Sequence, residues 1–452
     1  MAPFDEVPTL QHPLRVHRLQ FASDVADPAR IHKQIDLLTA RADGRRLDAL
    51  AQDGVSFAQL LLDRERFVTL LSRALSDASY RPGSARIVRA FIVGKWREMA
   101  RLGVLDLLVH AVLSDVLTER LEPILSPRVY SYRSKRSPWH ALRLLAKVAS
   151  DHRKSHPDPR TRGLYVLRSD VHSYAPTIPL DASSQMWPEL RAVCGLDADS
   201  PHWSMVRALV TQELLDDDEK PRSRERGVLF GAPSSNALMN MYLMPLDVAL
   251  AELGGASARF GDDVLFAHAD PSVVREARRT LERILEARGL VVNPDKMRVL
   301  YWNGAARPSE VWPEAQPVSA VTFLGASIGF DGVLSLSKAK WRALLRDLRA
   351  RIVRTGRLLE EQDPEARARI LAAMVVEAFD LRSETGLPHK QMATDLVSDR
   401  RQLAQLDYWL ALWIAEVATE TRGVRAFRTI SPQWLRSEAG LTSRVVARNR
   451  GR

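Results

Sequence analysis

Two adjacent aspartates, Asp262 and Asp263, lie between short apolar runs in the segment of residues 258–267. Neighbouring carboxylates repel each other unless a positive charge neutralises them. A second acidic cluster, residues 216–219, lies beside Lys220 in a polar stretch and is typical of a solvated loop. The apolar surroundings of Asp262 and Asp263 indicate instead that they bind a cation.

A third carboxylate, Asp170, ends a strand-like run that begins at Leu164. Two carboxylates on neighbouring strand ends can hold a pair of Mg²⁺ ions about 3.5–4 Å apart, the arrangement used for in-line attack at phosphorus. One ion would lower the pKa of a 3′-hydroxyl, and the other would neutralise the phosphates and the leaving pyrophosphate. These residue types favour nucleotidyl transfer with two Mg²⁺ ions, for which Mn²⁺ is a candidate substitute.

The composition suits a soluble enzyme with a polyanionic partner. The chain has 452 residues, 46% hydrophobic and 27% charged, without a secretory pattern at its start or an apolar run that could cross a bilayer. Its formal net charge of +10 favours nucleic acid as the partner, with solvated basic faces as the alternative. The single cysteine, Cys194, excludes an internal disulfide and fits a cytoplasmic location without a membrane partner. Beyond residue 421 only Glu438 opposes a series of arginines, namely Arg422, Arg425, Arg428, Arg436, Arg444, Arg448, Arg450 and Arg452.

The elements that must position the carboxylates follow from hydrophobic periodicity and turn residues. A hairpin with residues 261–262 in its turn carries the aspartate pair. A helix over residues 271–288 follows, and Gly289 ends it. With the strand before Asp170 and a strand pair near residues 321–325, the order is strand, helix, hairpin, helix, strand, a split βαββαβ unit.

Helical patterns flank this unit on both sides. Residues 1–80 have helical periodicity. Residues 86–99 form a two-stranded element lined by basic side chains, with Gly94 in its turn and a helix from Val104 to Glu122 after it. From about Ser337 the pattern is helical again. The sequence therefore predicts an α+β fold.

Several segments, in the correct order over roughly residues 80–330, resemble the motifs of reverse transcriptases. The resemblance implies a right-hand polymerase with fingers, an antiparallel palm sheet and a helical thumb. The matching segments are Lys95-Trp96-Arg97, Asp106 and Tyr130 to Arg133 in the fingers; Ser169 to Tyr174 with the first aspartate; Gly227 to Leu243, a glycine, small-residue and proline turn with its helix, running on to Asp247; Phe260 to Asp263, the aromatic-x-Asp-Asp box; residues 289–296 with the palm lysine; and residues 323–325, the primer grip.

The resemblance also implies a role for each matched residue of the catalytic centre. Asp170 and Asp262 would be metal ligands, with the carbonyl of Val171 as a third ligand and Asp263 as a supporting carboxylate. Lys296 would donate a proton to the leaving pyrophosphate or neutralise it, and a surface lysine is the alternative.

A nucleotide site is implied beside this centre. Arg97, with Lys95 and Arg89, would clamp the triphosphate, because a guanidinium fork contacts phosphate oxygens in pairs. A charged hairpin edge that prevents aggregation is the alternative. Gly231 would let the nucleotide approach the backbone closely, unless it is only the entry to a helix. The other nucleotide-binding positions are Val171, Tyr174, Ala175 and Phe230.

Three positions depart from the family pattern. Phe230 replaces a common glutamine, and Gly261 gives the box a triplet also found in RNA-dependent RNA polymerases. Ala175 replaces a bulky aromatic residue that blocks the ribose 2′-hydroxyl. We therefore expect weak sugar discrimination unless Tyr174 takes that role.

The sequence thus predicts an RNA-directed DNA polymerase that uses an RNA template, a nucleic-acid primer and dNTPs. Its unusual motifs resemble bacterial defence-associated enzymes that work with a noncoding RNA, and a homo-oligomer or a partner protein is left open. Two alternatives are a templated or untemplated polymerase with relaxed sugar selectivity and an RNA-binding protein similar to intron maturases. The tryptophans of the last helical module are expected to be core residues. The expected domains are an N-terminal helical extension (1–80), fingers (81–163), palm (164–335) and a thumb with a basic extension (336–452).

Overall fold

The computed structural model of the protein describes residues 20–41, 48–92, 95–158, 162–222, 224–380, 393 and 396–446. Helices are combined with antiparallel and parallel strand pairs, which confirms the predicted α+β class. The chain divides into two compact units, one of residues 1–138 with 165–299 and the other of residues 139–164 with 300–452.

The secondary-structure elements are numbered here in chain order. The helices are α1 (Phe21–Ala26), α2 (Pro28–Arg41), α3 (Phe57–Leu62), α4 (Arg64–Ser76), α5 (Val104–Leu121), α6 (Pro138–Ser155), α7 (Tyr174–Thr177), α8 (Met186–Cys194), α9 (Pro201–Val210), α10 (Ser235–Tyr242), α11 (Met244–Glu252), α12 (Pro271–Ala287), α13 (Lys338–Arg357), α14 (Pro364–Asp380), α15 (Arg400–Thr419) and α16 (Pro432–Ser437). The strands are β1 (Ala85–Ile92), β2 (Lys95–Arg101), β3 (Leu164–Asp170), β4 (Leu214–Leu215), β5 (Pro221–Arg222), β6 (Ala256–Phe260), β7 (Asp263–His268), β8 (Arg298–Trp302), β9 (Gln316–Val318), β10 (Ala320–Phe323), β11 (Ala326–Gly329) and β12 (Leu334–Leu336).

A four-stranded sheet in the order β2-β1-β4-β5 belongs to the first unit. Its β1 and β2 are the predicted basic hairpin, and they pair antiparallel with Ile92 opposite Lys95. The predicted turn at Gly94 lies outside the described residues. Strands β4 and β5 pair antiparallel on either side of the acidic cluster at 216–219, so the predicted solvated loop is a hairpin turn.

A second sheet in this unit carries the aspartates. Strands β6 and β7 form the predicted hairpin, with Phe260 opposite Asp263 and a two-residue turn between them. Gly261 has φ +63°, in the left-handed region that such a turn requires and glycine adopts without strain. Strand β3 pairs antiparallel with β7.

Helix α12 has the predicted start and end. The side chain of Asp270 accepts a hydrogen bond from the Ser272 amide, Pro271 is at the first position, and Gly289 has φ +64° just after the helix. One face of α12 is buried, and a fully buried aliphatic side chain contributes roughly 1.5–3 kcal/mol to stability. Its buried residues are Val274, Ala277, Thr280, Leu281, Ile284 and Leu285.

The second unit contains a three-stranded antiparallel sheet, β10-β11-β12, and the C-terminal helices. Ser337 caps α13, as expected for a helical segment beginning there, and Leu344, Leu348 and Ile352 form its buried stripe. A Cβ on Gly356 would lie 2.1 Å from the Val417 side chain, so α13 and α15 approach each other closely at this glycine.

Two further findings bear on the sequence expectations. Cys194 is fully buried at the end of α8, as a packing residue would be. Among the helices that the structure describes, none is long and apolar enough to cross a membrane.

Candidate active site

Three carboxylates meet at one end of the β3–β7 pair. Asp170 is the last residue of β3 and lies directly opposite Asp263, the first residue of β7, while Asp262 occupies the turn just before it. Directly opposed residues of an antiparallel pair have Cβ atoms roughly 4.5–5.5 Å apart. Only 6% of Asp170 is exposed, and Asp262 and Asp263 are half-buried, so water screens the three charges incompletely.

The protein environment opposes the ionisation of two of these groups. Burial, followed by the charges of Asp262 and Asp170, raises the pKa of Asp263 to about 6. Burial and the charge of Asp170 likewise raise the pKa of Asp262. A bound cation would remove this repulsion, because opposite charge stabilises the ionised form.

Lys296 supplies a positive charge at the same place. Its Nζ donates to Asp170 Oδ2 at 2.6 Å, and about half of the lysine side chain is exposed. The segment after α12 is held in position by two backbone hydrogen bonds, from Asn293 N to the Asp170 carbonyl at 2.9 Å and from His172 N to the Val291 carbonyl at 2.8 Å. The backbone bridge between Val171 and Val292 completes this attachment.

The donor set fits a hard divalent cation in its chemistry. Carboxylate oxygens on facing strand ends are the ligands that Mg²⁺ prefers. Within the described residues, no group of three or more His, Cys, Asp or Glu side chains is already arranged around a common metal position.

A buried arginine, which sequence reasoning missed, supports the aspartate turn. Arg259 pairs with Asp247 through Nε–Oδ1 and Nη2–Oδ2 distances of 2.7 and 2.6 Å. The same guanidinium donates to the carbonyls of Gly261 at 3.1 Å and Asn240 at 3.1 Å. Ser131 in turn donates to the Asn240 side chain at 2.8 Å. In the sequence, Asp247 and the segment from Tyr130 to Arg133 matched family motifs, whereas no motif identified Arg259.

The basic hairpin brings one of its three predicted cations to the site. Arg97 stacks over the Phe230 ring at 5.8 Å, and its charge offsets a small part of the rise in the pKa of Asp262 that burial causes. In the β1–β2 register, Arg89 lies opposite Glu98 and Arg97 lies opposite Ala90. Because Arg89 and Ala90 are consecutive residues of one strand, the side chains of Arg89 and Arg97 are on opposite faces of the hairpin. Lys95 begins β2, but its side chain lies outside the described part of the chain.

Tyr132 also borders the aspartates. Its ring lies 6.2 Å from that of Phe260, and burial together with the charge of Asp262 raises its pKa. Tyr132 has φ +53°, a left-handed conformation that is strained for tyrosine, and it stays 43% exposed. Such local strain beside three carboxylates is typical of a functional position.

Tyr174 and Ala175 begin α7, shortly after the strand of the first aspartate, and both are buried. The Tyr174 hydroxyl is buried and donates to the Met239 carbonyl at 2.6 Å. The Ala175 carbonyl accepts from the Val228 amide at 3.0 Å, which joins this segment to the glycine turn. The Tyr174 side chain is therefore held in the core.

The glycine turn is fixed against β2. The Ala100 amide donates to the Phe230 carbonyl at 2.7 Å. Gly231 has φ +115°, and a Cβ there would lie 2.7 Å from the Ala100 carbonyl oxygen. Glycine is required at this position by both conformation and space.

A buried chain of hydrogen bonds ends at Ser234 and supports the same glycine turn. The Gln212 amide nitrogen donates to the Gly83 carbonyl at 2.7 Å and to Asp106 at 2.8 Å, so its oxygen accepts from His110 Nε2 at 3.0 Å. His110 Nδ1 then accepts from the Ser234 hydroxyl at 2.7 Å. Burial lowers the pKa of His110 to about 4, which keeps it neutral. The sequence identifies Asp106 only as a motif match, and it carries no signal for His110.

A cavity of about 450 Å³ adjoins these elements, with Met99, Pro176, Gly227 and Phe230 among its lining residues. Pro176 and Phe230 are the direct neighbours of Ala175 and Gly231 in the sequence. Its volume lies within the roughly 300–1,000 Å³ typical of small-ligand sites.

Three facing carboxylates with a lysine, beside an arginine-bearing hairpin and a glycine turn, are the arrangement of the nucleotidyltransferase class. The chain belongs to the reverse transcriptase family, because the model of the reverse transcriptase (RNA-dependent DNA polymerase) domain matches residues 87–328. The predicted resemblance over roughly residues 80–330 is thereby confirmed.

Two solved structures are similar to this chain at low identity. An apo telomerase from Candida tropicalis, truncated from its C-terminal domain, has 11% identity and a TM-score of 0.42, with 64% of this chain and 63% of that chain covered. A telomerase from Candida albicans, in complex with a TWJ fragment of telomeric RNA, has 12% identity and a TM-score of 0.42, with 86% of this chain and 70% of that chain covered. The chain thus spans less than two thirds of the first of these structures. No curated protein sequence matches it.

Proposed function

We propose that the protein is an RNA-directed DNA polymerase that extends a nucleic-acid primer with dNTPs on an RNA template. The observation that carries this proposal is the meeting of Asp170, Asp262 and Asp263 at facing strand ends, with Lys296 at 2.6 Å from Asp170. Membership of the reverse transcriptase family supports the choice of template and product.

Asp170 and Asp262 would hold divalent metal, with Asp263 and the Val171 carbonyl beside them. Two Mg²⁺ ions, or Mn²⁺ in their place, would activate the 3′-hydroxyl and stabilise the charge of the phosphates when bound. Asp263 lies opposite Asp170 and adds negative charge that favours a cation at this position.

The other residues act on the nucleotide. Lys296 would neutralise the leaving pyrophosphate or give it a proton, and the 2.6 Å contact between its ammonium and Asp170 supports this role. Arg97 would contact the triphosphate from the hairpin, and Phe230 holds its guanidinium in place. Gly231 would admit the nucleotide close to the backbone, beside the cavity described above.

The finer biological role is also a proposal. A bacterial enzyme of anti-phage defence that works with a noncoding RNA is supported by the unusual motifs at Ala175, Phe230 and Gly261. The formal charge of +10 supports a nucleic-acid partner.

A primer-extension assay tests the main proposal. Purified full-length protein is supplied with Mg²⁺, an RNA or a DNA template with an annealed primer, and either dNTPs or NTPs. We expect DNA product on RNA, its loss with EDTA, and at least about a 100-fold loss in Asp262→Asn. Equal extension by Asp262→Asn and the wild type would contradict the proposal.

The same assay tests the two alternatives. A polymerase with relaxed sugar selectivity is favoured by Ala175 and by the core position of Tyr174, and it would give product with NTPs as well. An RNA-binding protein similar to intron maturases would bind RNA but extend no primer with either nucleotide set.

A further inference from the structure

The exposed face of α13 carries a row of arginines. Arg346, Arg349, Arg354 and Arg357 are exposed, and in the described residues none of them has a carboxylate within ion-pair distance. We call these four residues the arginine face. Helix α13 contains eight basic residues and one acidic residue, Asp347.

Helix α12 provides a contrast with the arginine face. It is also rich in arginine, but Arg278 pairs with Glu282 and Arg279 with Glu276 on its surface. These two surface arginines of α12 thus have intrahelical acidic partners. The arginine face lacks such neutralisation and forms a concentrated positive charge.

The arginine face borders a groove between α13 and α15. The groove has a volume of about 610 Å³, and Leu345, Val353 and Trp413 are its apolar lining. Arg346 and Arg357 are eleven positions apart, or about 16 Å along a helix. A row of this length can contact several consecutive phosphates of one strand.

An exposed aromatic ring lies against Trp413, which is one of the residues that line the groove. Trp409 stacks on Trp413 with ring centroids 5.8 Å apart and an interplanar angle of 23°. Trp413 is buried, whereas 38% of Trp409 is exposed and Tyr408 beside it is 46% exposed. Trp413 and the edge-on contact with Tyr408 hold the Trp409 ring in a fixed orientation.

We propose that this groove binds a single-stranded segment of nucleic acid, with phosphates on the arginine face and one unpaired base on Trp409. Guanidinium groups contact phosphate oxygens in pairs, and an aromatic ring stacks on an unpaired base. A duplex keeps its bases stacked and would leave Trp409 unused. Helices α13 and α15 lie beyond residues 87–328, so the family match assigns no ligand to this groove.

The test measures binding of a labelled single-stranded RNA of about 12 nucleotides to full-length protein, without metal or dNTPs. In the first variant all four residues of the arginine face are changed to Gln. The matched control changes four exposed arginines of α12, namely Arg275, Arg278, Arg279 and Arg283, to Gln. We expect at least about a 10-fold weaker affinity and a shallower salt dependence in the first variant, and a change under about 2-fold in the control.

The base contact is tested with Trp409. We expect Trp409→Ala to weaken binding by about 5- to 150-fold, and Trp409→Phe to retain most of the affinity, because stacking needs only an aromatic ring. Equal losses in the arginine-face variant and its α12 control would overturn the proposal. Binding of a blunt RNA duplex as tightly as the single strand would also overturn it.

This inference stands apart from the polymerase proposal. Asp262→Asn should lose primer extension and keep wild-type affinity for the single strand. Undiminished extension by Asp262→Asn would contradict the polymerase proposal alone, whereas wild-type single-strand affinity in the arginine-face variant would contradict the groove proposal alone.

Discussion

At the scale of residues, Asp262 and Asp263 are carboxyl groups whose ionised form the folded protein disfavours. Burial is the largest cause of their raised pKa values, followed by the charge of Asp170 on Asp262 and by the charges of Asp262 and Asp170 on Asp263, so their ionised forms destabilise the metal-free protein. A cluster of this kind lowers the stability of the metal-free protein and favours the binding of a cation.

We expect Asp262→Asn to have a melting temperature equal to that of the metal-free wild type or a few degrees higher, since one of the repelling charges is removed. Millimolar Mg²⁺ should raise the melting temperature of the wild type by about 2 °C or more, and that of the variant by less. Differential scanning fluorimetry with and without EDTA checks both. A variant that melts well below the metal-free wild type would contradict this account of the charges.

Sugar selectivity is a second question of single residues. Because Ala175 offers only a methyl group and the Tyr174 hydroxyl is bound to Met239, we expect Ala175→Phe to raise the preference for dNTP over rNTP at least tenfold. Tyr174→Phe, the matched control, should leave the preference unchanged. Steady-state incorporation of single nucleotides measures it. A strong dNTP preference in both the wild type and Tyr174→Phe would show that another group excludes the 2′-hydroxyl.

His110 makes stability depend on pH. Its folded pKa of about 4 lies below the ordinary value of 6.5, so the unfolded chain binds the proton more readily. The contribution of neutral His110 is present above about pH 6.5 and is lost as the pH falls towards 4, by up to ~3 kcal/mol. Urea denaturation at pH 7 and pH 5 should give a smaller drop in stability for His110→Gln than for the wild type. Identical drops would exclude His110 as the source.

At the scale of elements, two glycine turns that look alike in the sequence differ in their requirements. Gly231 has φ +115°, and a Cβ added to it would lie 2.7 Å from the Ala100 carbonyl oxygen, whereas the nearest atom to a Cβ on Gly261 would be the Tyr132 hydroxyl at 3.9 Å. We expect Gly231→Ala to destabilise the protein by more than ~2 kcal/mol and to raise KM for dNTP, and Gly261→Ala to cost only ~1–2 kcal/mol. Chemical denaturation and kinetics distinguish the two, and equal effects would contradict the difference in space.

The same scale shows what sequence could and could not predict. The hairpin at residues 261–262 and the limits of α12 follow from local turn and capping residues, and both are confirmed. A shift of one residue in the pairing of β1 with β2 changes which side chains share a face of the basic hairpin. A turn over residues 93–95 would put Arg89 and Arg97 on one face, but β2 begins at Lys95, so they are on opposite faces.

Long-range polar contacts could not be predicted from the sequence, for a different reason. Arg259 and Asp247 are twelve positions apart, and His110 and Ser234 are 124 apart, so only the tertiary fold brings them together. The sequence identified the aspartates and Lys296 by type and order. It could not identify the buried partners that hold those elements in position, because neither periodicity nor turn chemistry reports them.

At the scale of the whole molecule, charge is the property that the sequence reports most directly. With a formal charge of +10, and with arginines concentrated on α13 and beyond residue 421, we expect RNA affinity to fall at least about 10-fold between 50 and 200 mM salt. Filter binding with a homopolymeric RNA measures this. Affinity independent of salt would contradict a phosphate-dominated interaction. The four domain boundaries inferred from the sequence remain predictions.

The burial of Cys194 has a practical consequence for all of these measurements. Burial raises the pKa of its thiol to about 12, so the thiolate needed for alkylation is scarce at neutral pH. A cysteine introduced on the surface would then react with a maleimide dye while the native thiol stays unlabelled. Site-specific fluorophores and spin labels can therefore be attached to the otherwise unaltered chain.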